Sequence, residues 1–137
     1  MFCVLLLLAG CNSVLNPIAW ERVIGVTEIG GSQPPPIQLP EVIRSGESFP
    51  ATVVTYGSGS CTRADGAEVQ RTPQGLDITP YDLRATGNVN CTDDLAVRSR
   101  TVSLRLEGPG EAVIRVIGRR LVTNATTVYD TTVTVTP

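Results

Sequence analysis

The sequence predicts an all-β domain, arranged as an antiparallel β-sandwich of about seven or eight short strands. Segments rich in β-branched residues alternate apolar and polar positions, and clusters of Gly, Pro and Asn separate them along the chain. No stretch carries an apolar stripe with the 3.6-residue period of a helix, so a helical layer is not expected. A small β-barrel is the alternative architecture.

The chain opens with the apolar run Phe2–Ala9, which ends at a small residue and a cysteine. This run is far shorter than the roughly 20 apolar residues that a membrane-spanning helix needs. Its length is instead that of the apolar region of a secretory signal peptide. The alternative is that residues 1–11 form a buried first strand of a cytosolic domain.

The tetrad Leu8-Ala9-Gly10-Cys11 resembles the lipobox of bacterial lipoproteins. The resemblance implies that Cys11 receives a diacylglyceryl thioether, that the chain is cut before it, and that the new amino terminus is acylated, for example with palmitate. It divides the chain into a signal peptide (1–10), a lipidated tether (11–19) and a β-sandwich domain (20–137). Residues 1–4 carry no Lys or Arg, unlike the charged start of a signal peptide, which predicts a true start codon upstream.

The first predicted strand of the domain is 20–29, "WERVIGVTEI", which is rich in β-branched residues and is followed by Gly30-Gly31. The three prolines 34–36 come next and predict a stiff loop, with a proline-rich ligand for a partner as the alternative. The remaining predicted strands are, in order, 37–39, 48–56, 67–71, 75–83, 100–108, 111–120 and 126–137.

Alternation is clearest in two of these strands. In 48–56, Ala51, Val53 and Thr55 share one face, and the intervening residues share the other. In 100–108, the apolar residues at 102, 104 and 106 alternate with polar ones, which predicts one buried and one wet face. The segment Gly-Pro-Gly at 108–110 predicts the turn between this strand and the next.

Three segments resemble bacterial immunoglobulin-like domains: "LPEVIRSGESFPATVVTYG", "GPGEAVIRVIG" and the closing "TTVTVTP". The resemblance covers residues 37–137 and implies an immunoglobulin-like β-sandwich. No Trp lies between Cys61 and Cys91, unlike the antibody pattern, so a disulfide there would pin a loop or a strand edge.

Cysteine usage agrees with export. Cys3 would be lost with the signal peptide and Cys11 would be lipidated, which leaves Cys61 and Cys91 as an even pair in an oxidising compartment. A structural disulfide is expected, and a metal site or two unpaired thiols are the alternatives. No Cys-x-x-Cys spacing is present, which disfavours a redox-active pair.

The residue types that carry most enzyme chemistry are missing. The chain has no His and no Lys, which removes histidine triads, the usual zinc sites and Schiff-base chemistry. Asp93-Asp94 is the one adjacent acidic pair; a solvated loop is expected there, with catalysis or a calcium site as alternatives. Asp65 or Asp82 would supply further calcium ligands, although the EF-hand spacing is absent. No cofactor is expected.

Two Gly- or Arg-rich stretches have competing interpretations. The segment "YGSGSCTRADG" is Gly-rich but lacks the lysine of a phosphate-binding loop, so a flexible connection to a disulfide is expected. Arg119-Arg120 predicts a solvated strand edge that discourages aggregation, with an anion-contact site as the alternative. The net charge of -2 and the lack of a basic stripe argue against nucleic-acid binding.

These observations predict a lipid-anchored, non-catalytic protein of the bacterial cell envelope whose immunoglobulin-like domain acts in binding or structural support. The expected partners are the membrane, through the lipid anchor, and an envelope protein or glycan. Asn12 is not the aspartate that retains enteric lipoproteins at the inner membrane, so outer-membrane delivery is expected. The alternative function is a periplasmic inhibitor or a carboxylate-based hydrolase.

Overall fold

The computed structural model describes residues 17–137, so the predicted signal peptide, the Cys11 lipidation site and most of the tether lie outside the described residues. The described residues form an all-β structure, which confirms the predicted fold class. No helix in it is long and apolar enough to cross a membrane. Its strands are β1 (Ala19–Ile24), β2 (Val26–Glu28), β3 (Ile37–Gln38), β4 (Ile43–Arg44), β5 (Ser48–Gly57), β6 (Thr62–Thr72), β7 (Gly75–Thr86), β8 (Ala96–Arg105), β9 (Gly110–Arg120) and β10 (Thr126–Thr136).

The predicted first strand is divided at Gly25, where the chain leaves β7 and crosses to β9. The Gly25 amide donates to the Pro80 carbonyl at 2.9 Å, and the Gly25 carbonyl accepts from the Arg119 amide at 3.0 Å. A Cβ atom on Gly25 would lie 2.4 Å from the Thr55 side chain, so a glycine is required for this close approach.

The long pairings are antiparallel. β5 pairs with β8 from Ser48 opposite Arg105 to Gly57 opposite Ala96, and β6 with β7 and β9 with β10 form hairpins. Three pairings are parallel: β7 with β9, β2 with β9, and β4 with β10. The immunoglobulin-like arrangement suggested by the sequence stays a prediction.

Short strand β2 joins the two halves of the molecule. Val26 pairs with Tyr56 of β5 on one side and with Arg119 of β9 on the other. All ten strands therefore belong to one hydrogen-bonded sheet, which curls so that β5 and β8 face β7 and β9 across the core.

The core follows the predicted period of two. Ala51, Val53 and Thr55 are buried on one face of β5. As predicted, Leu104 of β8 and Leu106 just after it are buried, and Val102 is partly buried on the same face. The buried apolar cluster consists of Ile37, Ile43, Phe49, Ala51, Val53, Leu76, Ile78, Leu104, Leu106, Ile114, Val116 and Val135. Burial of these side chains is the main favourable contribution to folding.

The proline-rich segment is tied to β2. The Gln33 side chain donates to the Thr27 carbonyl at 2.8 Å and accepts from the Ile29 amide at 2.7 Å. Pro36 is buried next to β3. These contacts favour the stiff-loop interpretation of the three prolines.

Candidate binding cleft at the disulfide end

Cys61 and Cys91 form a disulfide, as predicted, with their Cα atoms 5.5 Å apart. The bond joins the turn 58–61, which follows β5, to the loop 87–95, which connects β7 to β8. Because β9 runs parallel to β7, the turn 121–125 lies at the same end of the domain. We call this end, defined by these three connections, the disulfide end.

Hydrogen bonds reinforce the link between the first two connections. Ser58 Oγ donates to the Thr92 carbonyl, and the Thr92 amide donates to Ser60 Oγ, both at 2.9 Å. The Gly59 amide donates to Asp94 Oδ1 at 2.9 Å. Hydrogen bonds from Thr92 and then from Gly59 lower the pKa of Asp94. Asp94 therefore joins the turn 58–61 to the loop 87–95.

The structure does not gather the calcium candidates at one place. Asp65 accepts from Arg22 Nε at 2.9 Å, and Asp82 is buried beside Arg100. Asp93 is exposed next to Asp94 in the loop 87–95. Among residues 17–137, no group of three or more His, Cys, Asp or Glu side chains is placed to hold a metal ion.

Asp82 and Arg100 form a buried ion pair that sequence reasoning missed. Arg100 Nη2 lies 2.8 Å from Asp82 Oδ1, and the side chains are 6% and 3% exposed. Thr55 Oγ1 donates to the same oxygen at 2.9 Å. Arg100 also donates to the carbonyls of Tyr81 and Gly66.

A signal for this pair was present in the sequence. Arg100 is in phase with Val102 and Leu104 on the inner face of β8, and Asp82 is in phase with Leu76 and Ile78 on β7. Opposite charges that both fall on apolar faces predict a buried pair, because an unpaired charge there would be too costly.

A cleft of about 320 Å³ opens at the disulfide end. Much of its wall is apolar and includes the disulfide itself. The apolar lining is Val23, Val26, Tyr56, Ala85 and Leu121, with Cys61 and Cys91. Its charged lining is Asp82, Arg84 and Arg119. The volume lies at the lower end of the range of small-molecule clefts.

The two adjacent arginines of β9 have different environments. Arg120 is exposed and pairs with Glu28 at 3.3 Å, as expected of a solvated edge. Arg119 lines the cleft and donates to the Ile24 carbonyl and to Asn124 Oδ1. Burial and the nearby Arg84 lower the pKa of Arg119, and Asp82 partly opposes this shift. Arg119 thus lies at a cleft, whereas Arg120 lies at the solvated edge of the sheet.

Comparison with protein family models, with curated proteins and with solved structures gave no match. The function is therefore inferred from the residues of the chain itself.

Proposed function

We propose that the protein is a lipid-anchored, non-catalytic module of the bacterial cell envelope, attached through Cys11, whose domain binds an envelope protein or glycan or gives structural support. The tetrad Leu8-Ala9-Gly10-Cys11 supports the anchor. The outer membrane is the proposed site, because Asn12 replaces the aspartate of the inner-membrane signal.

The observation that carries this proposal is the disulfide between Cys61 and Cys91. Disulfides persist in oxidising compartments such as the periplasm and are rare in the cytosol. The bond joins the Gly- and Ser-rich turn 58–61 to the polar loop 87–95, which is mostly exposed. A chain that depends on such a bond for order in these loops suits an exported protein.

The anchor would lie near the disulfide end. Ala19 pairs with Thr86, so the described chain starts beside the last residue of β7. Six residue steps separate Cys11 from Pro17, which is roughly 20 Å when fully extended. Five exposed apolar residues also lie at or beside this end, namely Ile18, Leu95, Val97, Leu121 and Val122. An exposed apolar end close to the anchor is consistent with a role at the membrane.

The pairing of Asp77 and Asp82 weighs against a hydrolase that would use either carboxylate as a general acid. Asp77 is held by Arg115 at 2.6 Å, and the hydrogen bond from Arg115 lowers the pKa of Asp77. Asp82 forms a buried ion pair with Arg100. A general acid at neutral pH needs a raised carboxyl pKa, which the pairing of Asp77 opposes.

The anchor is tested by labelling cells with a palmitate analogue and following the protein in membrane fractions. Cys11→Ser should lose the label, lose membrane association and keep the mass of the uncleaved precursor. Cys3→Ser is the matched control in the same apolar run and should behave as wild type. A wild-type protein that carries no label and purifies as a soluble species would refute the anchor.

A further inference from the structure

Arg119 is a half-buried cation that has no charged partner within residues 17–137. Among residues 17–137, no carboxylate oxygen lies within 4.0 Å of its guanidinium, whereas Arg84 and Arg120 each have one. Its side chain is held by two neutral acceptors, the Ile24 carbonyl and the Asn124 amide oxygen. The guanidinium is thus fixed in position, and its charge is not neutralised by a direct contact.

The nearby carboxylates are already paired. Asp82 lines the cleft, but its Oδ1 accepts from both Arg100 and Thr55. Glu21 pairs with Arg84 at 3.2 Å. The charged lining is therefore two cations, Arg84 and Arg119, and one anion, Asp82. Arg84 and Asp82 each have a charged partner outside the lining, Glu21 and Arg100, so the positive charge of Arg119 is the one left over.

The surroundings of Arg119 favour the binding of an anion. Burial and the like charge of Arg84 lower the pKa of Arg119, and Asp82 opposes part of this shift. A charge-assisted hydrogen bond from guanidinium to carboxylate is stronger than a neutral one, and more so away from bulk water. Apolar walls at Val23, Val26 and Leu121 would also take up an apolar group beside that carboxylate.

We propose that this cleft binds a carboxylate that carries a small apolar group, with the carboxylate on Arg119 and the apolar group against the walls beside the disulfide. Two sources share this chemistry: a free organic acid, and the carboxyl terminus of a peptide with an apolar last residue. The proposal goes beyond the envelope role proposed above, because the cleft is formed by the domain and does not depend on a lipid.

The test is calorimetric titration of the full chain, purified in one detergent buffer, with 4-methylpentanoate and with N-acetyl-alanyl-leucine. Binding of the first assigns a free acid, and binding of the second alone assigns a peptide terminus. The corresponding amides carry the same apolar group without the charge and should bind at least tenfold more weakly. Acetate carries the charge without the apolar group and should also bind more weakly.

Arg119→Gln should weaken binding of the acid about tenfold or more, because it removes the unpaired charge. Arg120→Gln is the matched control: it removes the neighbouring, exposed arginine and should change affinity less than twofold. Should Arg119→Gln fail to fold, Arg84→Gln removes the second guanidinium of the cleft from an exposed site and should still weaken binding severalfold.

Several results would overturn the proposal: no binding of either acid, amides that bind as well as acids, or equal losses from Arg119→Gln and Arg120→Gln. The anchor is judged separately. A chain without palmitate that still binds the acid contradicts the envelope anchor alone, and a labelled chain that binds neither acid contradicts the cleft alone.

Discussion

Asp82→Ala should destabilise the domain strongly, because it leaves the buried Arg100 guanidinium without its carboxylate. The two side chains are 3% and 6% exposed, and the Nη2 to Oδ1 distance is 2.8 Å. Thr55 would also lose the acceptor of its hydroxyl, now 2.9 Å away. The variant therefore buries one unpaired charge and one unpaired donor.

The size of the effect follows from the contacts that remain. Removing one partner of a buried ion pair costs about 3–5 kcal/mol. Arg100 would keep its hydrogen bonds to the carbonyls of Gly66 and Tyr81, although its Nε has no hydrogen-bond partner in the described part of the chain. Because these acceptors remain, we expect the free energy of unfolding to fall by about 3 kcal/mol, the lower end of that range. A loss of this size is a large fraction of the stability of a small domain.

The assay is urea unfolding of the oxidised protein, followed by circular dichroism. Asp77→Ala is the matched control on the same strand, since it breaks the pair with Arg115, whose side chain is 43% exposed, and should cost clearly less. The double variant Asp82→Leu with Arg100→Met replaces both charges by apolar groups and should regain most of the loss.

Two outcomes would refute this reasoning. If Asp82→Ala costs no more than Asp77→Ala, the pair is not buried as described. If the double variant is as unstable as Asp82→Ala, the loss comes from packing or from Thr55 rather than from an isolated charge.

Three further predictions concern the disulfide, the core and the surface pair. Replacing both Cys61 and Cys91 with serine should lower the free energy of unfolding by about 2–5 kcal/mol and leave the far-ultraviolet β signature intact; unchanged urea midpoints would contradict it. Leu104→Ala, at a core position that is 2% exposed, should cost about 2–5 kcal/mol in the same assay, and a loss below about 1 kcal/mol would argue against the buried face of β8. The pKa of Asp77 is lowered from 3.8 by Arg115, so its stabilising contribution is present above about pH 4 and is lost as the pH falls through the lowered value. Titration by nuclear magnetic resonance should give a pKa below 3.8 for Asp77, and Arg115→Gln should raise it; a pKa at or above 3.8 in the wild type would contradict the ion pair.

Local patterns were enough to predict most of the strands. Each predicted strand of the domain corresponds to a strand in the structure, because alternation of apolar and polar residues is a local property that a curled sheet preserves. Their ends were less predictable. β6 begins at Thr62 rather than at 67, because its first residues pair with β7 across the irregularity between Ala64 and Ala67. Such pairing depends on the partner strand rather than on the segment itself.

The sequence by itself determined the all-β class and the strand faces, since these depend on residue type and spacing. The expected pairing of Cys61 with Cys91 followed from the lipobox resemblance, which set Cys3 and Cys11 aside. Only the tertiary structure decided which of the two neighbouring arginines of β9 enters a cleft. Adjacent strand residues point to opposite faces, but nothing local says which face another part of the chain will cover. Arg120 stays exposed to solvent. At Gly25 and Val26 the chain passes from β7 to β9, where it pairs with Arg119 and partly covers it. That contact joins residues more than ninety positions apart in sequence, so it is set by how the sheet curls and not by the segment that carries the two arginines.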